Sequence, residues 1–284
     1  MTATYDYEGK FVFGSELCLE IVILQLLGPM MPMALLLQIN ASANQGLLYG
    51  VTDIFISKYS SDGTTMLYST YIGGGNDIGG VDVVHSLICN EQNELYFFGT
   101  TSSSDFPLVS PVQATFNGGV YREFTSNGTH FWGNNQNQAA GGTDLIMVKM
   151  SANGSTLLAS TYYGGSHNDG LNYNENGVVN GNQFSGLMYN YGDPFRGEIM
   201  LDETGNVYVA SCTYSANFPM VNATQNTYGG NQDGVLIKFN PALTTVLWST
   251  YWGGNARDAC YAIKFDSAGN IFAAGGTLSV EFFL

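Results

Sequence analysis

One phrase is written three times in the chain: Leu67-Tyr68-Ser69-Thr70-Tyr71-Ile72-Gly73-Gly74, Leu158-Ala159-Ser160-Thr161-Tyr162-Tyr163-Gly164-Gly165 and Leu247-Trp248-Ser249-Thr250-Tyr251-Trp252-Gly253-Gly254. Each copy runs β-branched and aromatic residues into a glycine pair, the make-up of a strand with a stop. The same motifs flank every copy in the same order. An Asp-x-apolar-apolar-x-Lys strand precedes it, at Asp53–Lys58, Asp144–Lys149 and Asp233–Lys238. A short turn joins the two, as in Ser61-Asp62-Gly63 and Ala152-Asn153-Gly154.

After the glycine pair comes a further strand, then a turn and a fourth strand. The turn reads Asp-x-x-Gly at Asp202–Gly205 and Asp266–Gly269, and again near the start at Asp6–Gly9. Glycine supplies the positive φ of a tight hairpin, and the aspartate can accept from backbone two residues on. The fourth strand leads into Phe106-Pro107 in the first unit and Phe218-Pro219 in the second. Asp53, Asp144 and Asp233 open the units, 91 and 89 residues apart by their numbers.

Four strands per unit at constant order predict an all-β fold, a β-propeller of about three four-stranded blades. Strands apolar on both faces, such as Leu145-Ile146-Met147-Val148, fit sheets stacked between neighbours. A parallel β-helix is the rival, but its coils are shorter and lack a hairpin at every connection. The expected division is an end strand at 1–15, an irregular apolar segment at 16–52, and repeat units at 53–142, 143–232 and 233–284. Propellers close with four to eight blades, so three predict an open segment of a longer ring. The alternative is a ring assembled from two or more chains.

Residues 16–50 break the pattern. Cys18–Leu37 is nearly all apolar, long enough to cross a bilayer, but Glu20, Pro29 and Pro32 interrupt it. A two-base shift of the codons for Gly28-Pro29-Met30-Met31-Pro32-Met33-Ala34 can read Ala-Tyr-Asp-Ala-Tyr-Gly, which resembles Gln113-Ala114-Thr115-Phe116-Asn117-Gly118. A frameshifted loop, a hydrophobic insertion and, last, a membrane span are therefore the three readings. Long insertions also fall at 120–142 and 166–196.

The motifs in fixed order resemble the seven-bladed β-propeller repeat (SBBP) family, over most of 53–284 and residues 6–15. That resemblance implies a secreted or cell-surface bacterial protein with a scaffold or adhesion role. It brings no catalytic residues, no cofactor and no metal.

Composition excludes other classes. Net charge is −15 with only eight Lys plus Arg, which argues against nucleic acid and anionic lipid as partners. No Cys-x-x-Cys, His-Glu-x-x-His or Gly-x-Ser-x-Gly occurs. Cys89, Cys212 and Cys260 fall in or beside strands, where buried thiols are expected. Lys58, Lys149 and Lys238 share one repeat position, read as stems lying on apolar surface.

Asp77, Asp169 and Asp258 follow the glycine pairs and remain the binding candidates. Carboxylates on one face could gather calcium, although turn capping explains them as well. Aromatic and amide-rich loops, such as Phe131-Trp132-Gly133-Asn134 and Tyr189-Asn190-Tyr191-Gly192, make protein or carbohydrate the partner classes. A propeller enzyme acting on carbohydrate through loop carboxylates is the alternative.

Overall fold

The computed structural model describes residues 44–50, 52–75, 80–119, 142–172 and 195–281, and the backbone of five short strands outside them. The described residues form an all-β fold of antiparallel sheets with no helix. β1 (Thr4–Tyr5) and β2 (Phe11–Val12) pair antiparallel, Thr4 opposite Val12 and Tyr5 opposite Phe11. β3 (Ile21–Val22), β4 (Ile54–Tyr59) and β5 (Met66–Ile72) make the first of four stacked sheets.

β6 (Asp82–Cys89) and β7 (Leu95–Thr101) open the second sheet. A small hairpin, β8 (Arg122–Glu123) with β9 (Gln138–Ala139), lies in the following insertion. β10 (Asp144–Met150) and β11 (Leu157–Tyr163) complete the sheet in the order β6-β7-β10-β11. β12 (Glu198–Leu201), β13 (Val207–Thr213), β14 (Asp233–Phe239) and β15 (Val246–Trp252) repeat that order as the third sheet. β16 (Asp258–Phe265) and β17 (Ile271–Thr277) form the fourth.

The sheets are therefore half a unit out of phase with the sequence repeat. A unit opening at Asp53 ends one sheet with its first hairpin and opens the next with its second. Turn chemistry cannot reveal this, because both hairpins look alike locally. Ladder pairing decides it: Asp144 sits opposite Thr101, and Asp233 opposite Thr213.

Alternation explains the stacking. Leu95 and Phe97 pack with Ile54, Ile56 and Ile72 of the first sheet. Tyr96 and Phe98, on the opposite face of the same strand, pack with Val207, Val209, Val235 and Ile237 of the third. Tyr208 and Leu236 continue towards Cys260 and Ile263 of the fourth. A strand with both faces covered has no polar side, so all seven residues of β7 and of β13 are buried. Each such large side chain contributes about 1.5–3 kcal/mol.

The repeated lysines lie as their stems suggest. Lys149 Nζ sits 5.1 Å from the Tyr96 ring centroid and 2.7 Å from Glu94. Lys238 Nζ sits 4.7 Å from the Tyr208 ring and 3.4 Å from Asp202. Lys58 instead reaches the Ala152 carbonyl at 3.4 Å. Cys89, Cys212 and Cys260 are buried free thiols. Cys18 and most of 16–43 lie outside the described residues. Among the described residues no helix is long and apolar enough to cross a membrane.

Candidate functional site

The repeated phrase is a rail onto which the loop of the preceding unit docks. Its leucine is a bulge residue. Lys149 pairs Ala159 and Met150 pairs Leu157, which leaves Leu158 unpaired and facing out; Leu67 and Leu247 do the same. The next polar residues each take one partner. Ser160 Oγ donates to the Pro107 carbonyl and accepts from Val109 N–H, and Ser249 treats Pro219 and Val221 alike. Thr161 Oγ1 accepts from Gln113 N–H, as Thr250 does from Gln225 and Thr70 from Gln45. Tyr162 donates to the Ser103 carbonyl and accepts from Phe106 N–H; Tyr251 holds Ser215 and Phe218 in the same way. The Phe-Pro loop thus covers the edge strand of its sheet, which would otherwise present unpaired N–H and C=O groups.

The glycine pair is required for space. Its residues do not have positive φ. A Cβ on Gly73 would lie 2.6 Å from the Asp53 carboxyl and 2.8 Å from Asp82. On Gly164 it would lie 2.5 Å from Asp169 and 2.6 Å from Asp144, and on Gly253 2.8 Å from Asp233 and 2.9 Å from Asp258. Each strand therefore ends between two carboxyl groups, and only hydrogen fits there.

Those two carboxyls have different tasks. Asp53, Asp144 and Asp233 hold the loop that comes before: Asp144 accepts from Asn117 and Gly118 N–H, Asp53 from Tyr49 and Gly50, and Asp233 from Gly229 and Gly230. The second carboxyl holds the loop that follows. Asp169 accepts from Gly165 N–H, Ser215 Oγ and Thr213 Oγ1. Asp258 accepts from Gly254 N–H at 2.7 Å and Ser279 Oγ at 2.8 Å, while its Oδ1 has no partner. A glutamine completes each corner. Gln45, Gln113 and Gln225 accept from the first glycine's N–H through Oε1.

Two expectations fall on residues outside the described ones. Asp77 lies outside the described residues; beside Gly73 and Gly74 stands Asp82, as Asp169 stands beside Gly164 and Gly165. Asp82 accepts from Gly74 N–H, Thr101 Oγ1 and Ser103 Oγ, matching Asp169 bond for bond. Counting four residues from the second glycine reaches Asp169 and Asp258. The first unit needs eight, because its loop is longer. Residues 28–34 also lie outside the described residues; at the first corner Gln45, Tyr49 and Gly50 make the bonds that Gln113, Asn117 and Gly118 make at the second. Gln45 precedes Asp53 by eight residues, as Gln225 precedes Asp233, and this spacing was the available signal for both the glutamines and the unit-opening aspartates.

Burial dominates the corner electrostatics. It pushes the Asp82 carboxyl up to about 7, with the Asp53 charge adding to it. Burial likewise raises Asp144 to about 7 and Asp233 to about 7, the latter with help from Asp258. Asp169 is raised well above the usual range by burial and by Asp144 beside it. The hairpin aspartates behave oppositely. Asp202 accepts from Thr204 and Asn206, and those bonds outweigh a burial effect of opposite sign and hold it low. Asp266 is lowered chiefly by the Asn270 side chain and backbone. Both are hairpin turns, with Gly205 at φ +79° and Gly269 at +80°.

No other constellation gathers among the described residues. No group of three or more His, Cys, Asp or Glu side chains converges there. His85 lies against the Phe98 and Phe195 rings, hydrogen-bonds Thr100, and is pushed by burial down to about 3. His167 is exposed, and His130 lies outside the described residues. A groove of about 480 Å³ runs between the first and second sheets, lined by Gln45, Tyr49, Asp105 and Ser155 among others. Its carboxylate, Asp105, accepts from Gly75 N–H. Comparison with family models and with curated proteins finds no match to this chain.

Proposed function

We propose that the chain is a β-propeller segment that works as a non-catalytic extracellular scaffold, offering its loops to protein or carbohydrate partners. The observation that carries this reading is the use made of the repeated polar residues. The Gln, Thr and paired Asp of each corner are engaged by the loops packed on it in all three copies, and the Ser and Tyr in two, each rail being held by the Phe-Pro loop of the preceding unit. A group that holds backbone in every unit is not free to turn over substrate. Four-stranded antiparallel sheets stacked in chain order support the propeller. The SBBP resemblance supports export and a surface role, and the aromatic and amide-rich loop sequences support binding.

One observation favours the carbohydrate-enzyme reading. Raised, paired carboxyls at Asp82, Asp144, Asp169 and Asp233 are what acid catalysis needs near neutral pH. Against it, five of the six paired carboxyls are buried, Asp53 being half-buried, and each pair faces a glycine Cα. The test pairs two assays on the purified chain. Arrayed glycans and surface proteins are expected to show retained partners, and a polysaccharide hydrolase and lyase panel no turnover. Turnover abolished by Asp169→Asn in a chain that keeps its fold would overturn the scaffold reading, as would the absence of any retained partner.

A further inference from the structure

The outer edge of β17 is built to receive one kind of hairpin. Thr101, Thr213 and Thr277 end β7, β13 and β17, each two residues before the serine that binds a corner aspartate. β7 and β13 each carry a partner strand over seven paired residues. In both ladders an aspartate faces that threonine and a lysine faces a tyrosine, Tyr96 or Tyr208. The lysine head then meets an acid from the preceding hairpin turn, Glu94 or Asp202.

β17 has the same fittings: Thr277 at its end, Phe272 in the tyrosine's place, and Asp266 in the turn where Asp202 stands. Among the described residues no strand lies on this edge. Tyr96 and Tyr208 are 1% and 5% exposed, whereas Phe272 is 64% exposed. Leu278 and Val280, just beyond, are 51% and 91% exposed.

The first sheet offers the matching half. Asp53 and Lys58 belong to the required class, and β4 is paired on its inner side only at Ser57 and Lys58, by β3. Ile54, Phe55, Ile56 and Tyr59 have no strand partner on that side among the described residues.

We propose that β17 pairs with β4 of a second copy of this chain, so that β16-β17 and the partner's β4-β5 make one four-stranded sheet. Lys58 of the second copy would cover Phe272 and meet Asp266, as Lys238 covers Tyr208 and meets Asp202. The second copy's own second sheet would then pack on the Phe272 face, as the third sheet packs on Tyr96. The contact is heterologous and head-to-tail, with β3 yielding its two positions. It rests on ladder register alone and stands or falls separately from the scaffold reading.

Sedimentation equilibrium of the whole chain from roughly 1 to 100 µM tests it. Concentration-dependent self-association is expected, weakened about tenfold or more by Phe272→Asp and by Asp266→Lys. The double variant Asp266→Lys/Lys58→Glu is expected to recover part of it. Circular dichroism checks that the exposed Phe272→Asp change leaves the fold intact. A monomer throughout overturns the proposal, as does association indifferent to both substitutions. Capture of an added 53–74 peptide without self-association also overturns it, because the edge then serves a hairpin from elsewhere.

Discussion

β7 and β17 follow the same sequence pattern in different surroundings. Every residue of Leu95–Thr101 is buried, whereas five of the seven in Ile271–Thr277 are exposed. β7 has a ladder on each side and a sheet on each face. β17 has β16 on one side and the third sheet behind that hairpin. The contrast separates what a repeat carries in itself from what its neighbours supply. The hairpin turn, the threonine–serine pair and the serine bond to the corner aspartate persist in the fourth sheet. Burial and the lysine contact do not.

Core truncation should widen this contrast most. Phe97→Ala is expected to cost about 3–5 kcal/mol, since the ring is fully buried between two sheets. Phe272→Ala in dilute solution is expected to stay within about 0.5 kcal/mol. Chemical denaturation measures both; equal losses would mean that the fourth sheet is covered in solution.

Next come the corners. Gly164→Val forces a side chain between Asp144 and Asp169 and should cost about 3 kcal/mol. Gly253→Val meets slightly more distant carboxyls, one of which has an unheld oxygen, and should cost less. Thermal midpoints rank the pair, and the reverse order would break the equivalence drawn between them.

Acidity is a third lever. Asp82, Asp144 and Asp233 have folded pKa values raised to about 7 from 3.8, so the folded chain binds protons more tightly than the unfolded chain. Their stabilising contribution is complete below about 3.8 and is lost as pH rises through about 7. The melting temperature should therefore be higher at pH 5.5 than at pH 8. Asp202 and Asp266, held low, act in the opposite direction only below the ordinary carboxylate range. A midpoint that does not fall from pH 5.5 to 8 would show the corner carboxyls to be ionised throughout that range.

The smallest effect belongs to the lysines. Lys149→Met removes one ion pair and one ring contact at a half-buried site and should cost about 1 kcal/mol or less. A double-mutant cycle with Glu94→Gln isolates the pair.

Much of the fold was legible because strand and turn signals are local. The phrase and the Asp-x-apolar-apolar-x-Lys strands fall in β-structure where the pattern put them, and the Asp202–Gly205 and Asp266–Gly269 turns join paired strands. The corner was less legible. Asp169 and Asp258 could be picked out by spacing, but Asp82 could not, because a loop of different length moves the residue along the chain while leaving it fixed in space. Asp53, Asp144 and Asp233 were visible as unit openings, yet their bonds run to loops up to 31 residues away in sequence.

The repeated phrase marks the division. By itself the sequence determined that each copy is a strand ending at glycine, since side-chain shape and turn chemistry are properties of short stretches. Only the tertiary structure decided why two glycines stand there, which hairpins share a sheet, and which aspartates meet. Those outcomes depend on ladder register and on the space left between two carboxyl groups brought together from distant parts of the chain.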